Sequence, residues 1–218
     1  MSDFIRGVAF IFEGDTEHIF YNSMLQYLAD KNEGFRIVKE IDQPTSDYRY
    51  IISNDNQSVV VRMYTVGTII SHTSAAARWF KSNCKQAHKG IAWTVFLCYD
   101  TDSHNSDASQ FQEGDWKDLR KAILKNKRTE IIDLAAQADI EDLMLLDIDG
   151  VCDFLGIPTV QIPQARKGKA KMKKLFRDNK EYYHEGERAV YLINHLDKDV
   201  IISKASIPLC SIEDVCFK

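Results

Sequence analysis

The sequence predicts an α/β fold, a mostly parallel central sheet flanked by helices, with a β-hairpin insertion and a helical C-terminal part. Three observations predict it. Two near-continuous apolar runs, Val8 to Phe12 and Ile91 to Tyr99, are of the kind found in strands covered on both faces. The segments beside them carry apolar residues at spacings of three and four, which is helical periodicity. Strand and helix patterns then alternate along much of the chain, as the crossovers of a parallel sheet require.

Taken in order, the first strand stops at Glu13-Gly14, and helical periodicity begins after Thr16. Gly14 is expected to allow a tight turn. Asp15 or Thr16 is expected to cap a helix that runs to about Lys31 with Ile19, Phe20, Met24, Leu25 and Leu28 on one face. Asn32-Glu33-Gly34 ends it. Phe35 to Ile41, Tyr48 to Ser53 and Ser58 to Tyr64 read as strands, the last two joined by a polar turn at Asn54-Asp55-Asn56-Gln57. This region, about residues 36–66, is the expected insertion. Ser71 to His88 reads as a helix closed by Lys89-Gly90, and Ile91 to Tyr99 is the strongest strand signal in the chain. A polar loop over 103–114, a helix from Asp115 to Asn126 and a short strand from Glu130 to Leu134 follow. Ile140 to Leu155 and Glu185 to Leu196 read as helices, Asp199 to Ser203 as a short strand, and Pro208 to Val215 as a last small helix. With no internal repeat and no linker composition, one domain over 1–218 is the simplest division, a sheet-forming core to about 135 and a helical extension over 136–218.

Composition excludes several classes. A hydrophobic content of 44% and a charged content of 28% are ordinary for a water-soluble domain. A net charge of −4 does not mark a nucleic-acid binder, so any such contact must come from a local patch. Five cysteines without a Cys-x-x-Cys pair argue for a reducing compartment and against a disulfide framework or structural zinc. The N-terminus lacks a secretory pattern and no apolar run reaches membrane length, so the expectation is a cytoplasmic protein with no membrane partner. The six histidines are scattered without a His-x-x-x-His pair; only His104 lies beside an acidic motif, where it could contact phosphate. No P-loop, Gly-x-Ser-x-Gly or Gly-x-Gly-x-x-Gly occurs, which removes the common nucleotide and hydrolase readings.

The chemistry concentrates at two acidic corners. Glu13 and the pair Asp100/Asp102 each follow one of the two best strand signals, and in a parallel sheet those ends share the edge where ligands bind. Glu17 lies one helical turn beyond Glu13, so both carboxylates could face one ion. Clustered carboxylates repel, and oxygen-only donors favour Mg²⁺ or Mn²⁺ over zinc. Such an arrangement serves phosphoryl chemistry. The alternative is that Asp15, Thr16 and Glu17 only cap a helix, since acidic first turns are common. A second candidate motif, Asp147-Ile148-Asp149-Gly150, looks like that of haloacid-dehalogenase phosphatases, but its neighbours have helical rather than strand spacing, which would misplace a nucleophile. Between Arg166 and Arg177 the chain holds seven basic residues and no acid. Arg166, Lys171, Lys173, Lys174 and Arg177 are therefore candidates for tracking phosphates, against the plainer reading of a solvated helix face.

Glu13-Gly14-Asp15-Thr16-Glu17 resembles the Glu-Gly-x-Thr-Glu signature that opens the TOPRIM domains of OLD-type and RloB-like proteins, many of them in bacterial anti-phage defence, and Asp100-Thr101-Asp102 resembles the Asp-x-Asp of the same fold. Ile140-Glu141-Asp142 and the basic helix that follows are similar to the carboxyl half of small proteins of this kind. The resemblance implies a Rossmann-like TOPRIM sheet, dependence on Mg²⁺ or Mn²⁺, and nuclease activity on DNA or RNA. It makes Glu13 a general acid/base or metal ligand, Asp100 and Asp102 metal ligands, and Glu17 a supporting ligand. Glu141 and Asp142 become candidates for a second metal, and Lys167 or Lys169 for stabilising charge on the scissile phosphate. OLD proteins carry an ATPase in the same chain and this sequence does not, so an ATPase or sensor partner protein would be separate; a homodimer is open. The rival expectation is a non-catalytic TOPRIM-like binding or regulatory subunit of a defence complex.

Overall fold

A computed structural model describes residues 4–41, 48–67, 69–101 and 116–218. Asp102 and His104 lie outside the described residues. Six strands form one mixed, mostly parallel sheet: β1 (Arg6–Phe12), β2 (Arg36–Ile41), β3 (Tyr48–Ser53), β4 (Ser58–Thr65), β5 (Ala92–Asp100) and β6 (Thr129–Ala136), in the spatial order β2-β3-β4-β1-β5-β6. β4, β1, β5 and β6 run parallel, while β2 and β3 extend the sheet as an antiparallel meander. The segment expected as an insertion is thus continuous with the sheet. Val59, Val60 and Val61 are fully buried because β4 sits between β1 and β3, where β-branched side chains pack well on both faces.

Alternation along β1 divides the core. Val8, Phe10 and Phe12 face a layer made of α1 (Asp15–Lys31) and the C-terminal helices, while Ala9 and Ile11 face α2 (Ile69–Trp79), its wider-wound continuation Phe80–Gln86, and α3 (Trp116–Leu124). The first layer includes Met24, Leu28, Met144, Met172, Ile193, Ile201 and Ile212, so the C-terminal part completes the covering of the sheet. It consists of α4 (Ile140–Met144), a tight turn at Leu145–Asp147, α5 (Ile148–Phe154), α6 (Gly168–Asp178), a turn at Gly186–Ala189, α7 (Val190–His195), α8 (Lys198–Lys204) and α9 (Cys210–Phe217).

Two expectations change here. The β-branched run Val200-Ile201-Ile202 is helical, not a strand, because Asp197 caps α8 by accepting from the Asp199 and Val200 amides at 2.9 and 3.2 Å, and the helix turns Ile201 fully into the core. The long helix expected over 140–155 is broken at Asp147, whose carboxylate accepts from Gly150 N at 3.1 Å and Asp197 N at 2.7 Å. Ile148, Asp149 and Gly150 of the Asp-x-Asp-Gly motif are helical, as their spacing predicts, while Asp147 itself is the cap of α5. Among the described residues no helix is long and apolar enough to cross a membrane.

Candidate metal and phosphate site

Register brings the two acidic corners together. β1 and β5 are adjacent and parallel with Phe12 opposite Cys98, so both chains leave the sheet at the same edge. The Glu13 amide donates to Cys98 O at 3.1 Å, and the Asp100 amide donates to the Glu13 carboxylate at 3.2 Å. On the other side of β1, Gly67 N donates to Glu13 O at 3.0 Å. Beyond β6, Thr101 fastens the edge: its amide donates to Ala136 O and its hydroxyl accepts from Ala138 N, both at 3.0 Å. α4 then starts at Ile140, just beyond the end of β6.

The resulting cleft of about 350 Å³ is lined by Glu13, Glu17, Asp100, Glu141, Lys169 and Glu185, among others. Gly14 is in extended backbone that any residue adopts, so a tight turn is not what requires it. A β-carbon there would lie 2.9 Å from a Glu17 carboxylate oxygen, so the glycine leaves room for that side chain over the cleft. Thr16 is not a helix cap; its hydroxyl accepts from Gly186 N at 2.9 Å and ties the wall carrying Glu185 to the start of α1.

The carboxylates are strongly perturbed. Burial, then repulsion from Glu17, Glu13, Glu141 and Asp139, pushes Asp100 up to about 9. Burial, with added repulsion from Glu13 and Glu141, pushes Glu17 up to about 7. Glu141 is also raised by burial, opposed by a 2.8 Å hydrogen bond that the Tyr183 hydroxyl donates to it. Lys169 is the one basic side chain lining the cleft among the described residues. Burial works against its charge, but Glu185, Glu141 and Asp139 outweigh burial and leave it above the ordinary lysine range.

The remaining candidates are placed differently. Asp142 accepts from Gly168 N at 3.0 Å and pairs with Lys171 at 2.7 Å, so its carboxylate holds α6 onto α4. Asp139, which the sequence reading missed, does the same by accepting from Lys169 N at 3.0 and 3.2 Å. Its signal was present, an acid closely following a third parallel strand. Gly168 permits the contact: a β-carbon there would lie 2.3 Å from Asp142 N. Lys167 precedes α6 and does not line the cleft, nor does Arg166, which is exposed. The basic run is largely paired: Lys169 and Lys173 with Glu185, Lys171 with Asp142, Lys174 with Asp178. Arg177 is exposed.

The donor set suits a hard divalent cation. Glu13, Glu17, Asp100 and Glu141 offer only oxygen, and Asp100 Oδ1 is buried without a hydrogen-bond partner. Among the described residues, however, no three His, Cys, Asp or Glu side chains are already grouped tightly enough to hold one ion. The cleft therefore has the chemistry of a cation site but not a closed ligand shell.

No protein-family model and no curated protein matches the chain. Solved structures that align with it include a futalosine hydrolase mutant of Helicobacter pylori strain 26695, at 11% identity over 99% of this chain and 95% of that one, with a TM-score of 0.28. The 5′-methylthioadenosine/S-adenosyl homocysteine nucleosidase of Campylobacter jejuni aligns at 9% identity over 97% and 98%, with a TM-score of 0.29. Similarity at that level carries no functional argument.

Proposed function

We propose that this chain is a TOPRIM-like, Mg²⁺- or Mn²⁺-dependent nuclease that hydrolyses phosphodiester bonds of DNA or RNA, of the kind used in anti-phage defence. The observation that carries this reading is the Asp100 amide bonded to the Glu13 carboxylate, with Glu17 and Glu141 in the same cleft and one Asp100 oxygen buried and unpartnered. The resemblance of both acidic motifs to those of OLD-type and RloB-like proteins supports it.

Glu13, Glu17 and Asp100 would hold the metal, with Glu141 in reach of a second, and the ion would polarise the phosphate and lower the pKa of bound water. The protein's own part is positional. The Asp100 amide orients the Glu13 carboxylate at the cleft, where it would take a proton from the attacking water. Lys169, released from Glu185 by an incoming phosphate, would sit against the charge that builds on the non-bridging oxygens. The water oxygen would bond to phosphorus as the bond to the leaving oxygen breaks, that oxygen would take its proton from solvent, and Glu13 would return its own to solvent.

The test is cleavage of mixed single- and double-stranded DNA and RNA with and without Mg²⁺. Asp100→Ala should lower cleavage by roughly 100-fold or more, since changes to the outer shell of a metal site alone cost about 10–100-fold. Activity indifferent to that substitution removes the assignment. A second reading, a binding subunit without turnover, is favoured by the open ligand arrangement and by the pairing of Lys169 with Glu185. It predicts a rise in Tm with Mg²⁺ and no cleavage of any substrate.

A further inference from the structure

A groove of about 480 Å³ runs along the C-terminal half of α6, lined by Lys173, Arg177, Lys180, Glu181, Tyr182 and Tyr183. Lys173, Arg177 and Lys180 stand there against Glu181, and Lys173 is shared with Glu185 of the acidic cleft, on a chain whose net charge is −4. Tyr182 is 83% exposed, so its ring stands in solvent at the edge of the groove, available to a flat partner. Lys180 has φ of +63°, the conformation that ends α6: Lys180 N donates to Arg177 O at 3.0 Å and Glu181 N to Phe176 O at 2.9 Å. Glycine is the residue that fits such a helix ending, so lysine here places a cation at the groove at a cost in backbone strain.

The groove joins the acidic cleft through two pairs. Tyr183 packs its ring edge-on against Phe176 at 5.5 Å while its hydroxyl donates to Glu141 at 2.8 Å. Lys173 pairs at 2.7 Å with Glu185, which lines the cleft. A chain lying in the groove therefore meets side chains that already touch the candidate site.

We propose that this groove binds single-stranded nucleic acid and leads it into the acidic cleft, with Lys173, Arg177 and Lys180 on the phosphates and the Tyr182 ring stacked on an unpaired base. This rests on the nuclease reading for its consequence but not for its test. A protruding ring can take up the face of an unpaired base, whereas bases in a duplex already stack on each other. An acidic peptide would use the cations and leave Tyr182 without a role.

The experiment is fluorescence anisotropy on the full chain in EDTA, so that turnover cannot interfere, with labelled single-stranded DNA, single-stranded RNA and the matching duplex, each of about 12 nucleotides. Single strands should bind about tenfold or more tightly than duplex, and the DNA and RNA arms decide which sugar is preferred. Tyr182→Ala should weaken single-strand binding about tenfold with an unchanged salt dependence. Lys180→Gly should weaken it as well, lower the slope of log K against log salt by about 0.7, and raise Tm by about 2–4 °C as the strain is relieved. That variant separates binding from folding, because it gains one while losing the other. Equal affinity for duplex and single strands, indifference to Tyr182→Ala, displacement by polyglutamate as effective as by unlabelled strand, or no binding at all would each overturn the proposal. Strands that bind as described but are never cleaved would leave the groove standing and remove the nuclease reading; Asp100-dependent cleavage with Tyr182-independent binding would do the reverse.

Discussion

Glu141 and Asp142 are neighbours in sequence, both in the first turn of α4, yet their carboxylates have opposite fates. Asp142 is engaged on both sides: the Gly168 amide donates to one of its oxygens and the Lys171 ammonium to the other. Glu141 faces a cleft shared with Glu13, Glu17 and Asp100, receives one hydrogen bond from Tyr183, and is harder to ionise than an ordinary glutamate. The same residue types at the same sheet edge thus serve as a clamp on one side and, on the other, as an acid cluster that Lys169 and the Tyr183 hydroxyl offset only in part. An acid that the fold has fully used stabilises the fold; one that it has left unpaired at a buried position costs stability until something cationic arrives.

The largest consequence is a pH dependence of the metal-free protein. Asp100 and Glu17 have folded-state pKa values raised to about 9 and about 7, above their values in the unfolded chain. The folded state therefore binds more protons, and stability falls as pH rises from about 4 through about 9. A Tm drop of about 10 °C between pH 5 and pH 9 in EDTA is expected, and Mg²⁺ should restore more of it at pH 9 than at pH 5, since metal and protons compete for the same oxygens. Asp100→Asn, which mimics the protonated acid, should flatten the curve and stabilise the protein at high pH. A metal-free Tm that stays level or rises over that interval would show that the cluster is not under repulsion.

The clamp gives the opposite signature. Asp142→Ala should cost about 2 kcal/mol, or roughly 4–8 °C in Tm, by unpairing the partly buried Lys171 and uncapping α6. The loss should be independent of Mg²⁺, so the increment in Tm that Mg²⁺ produces should match wild type. If Mg²⁺ affinity disappears with Asp142, the clamp is a ligand and the division between the two acids fails.

This contrast marks how far the sequence could be read. Glu13 and Asp100 were legible because the signal is local: an apolar strand ending at an acid, twice, places both at one edge once the strands are parallel. Glu17 followed from helical spacing. Which lysines were spoken for was not legible. Glu185 claims Lys169 and Lys173 from across a loop, and Asp142 claims Lys171 over a separation of 29 residues, whereas a charge run read by itself says nothing of its partners. The need for Gly168, the close approach of α4, exists only in three dimensions. Val200-Ile201-Ile202 had strand composition, and a cap two residues upstream of Asp199 together with a waiting core site overrode it.

The smallest effect tests whether the open acid is held by a single bond. Tyr183→Phe keeps the ring against Phe176 and along the groove but removes the hydroxyl that donates to Glu141. Loss of one hydrogen bond to a carboxylate costs about 1 kcal/mol, so Tm should fall by about 2–4 °C. The direction of the accompanying change discriminates more than its size. The hydroxyl favours the ionised form of Glu141, so its removal should raise that residue's pKa further and weaken Mg²⁺ binding several-fold, with the deficit largest near neutral pH and shrinking as alkali ionises the acid anyway. A purely structural role for Tyr183 would lower Tm equally with and without Mg²⁺ and leave the metal affinity untouched. Calorimetric titration of Mg²⁺ into wild type and variant at two pH values distinguishes these outcomes, and single-strand binding in EDTA should be the same for both proteins because the ring face is unchanged.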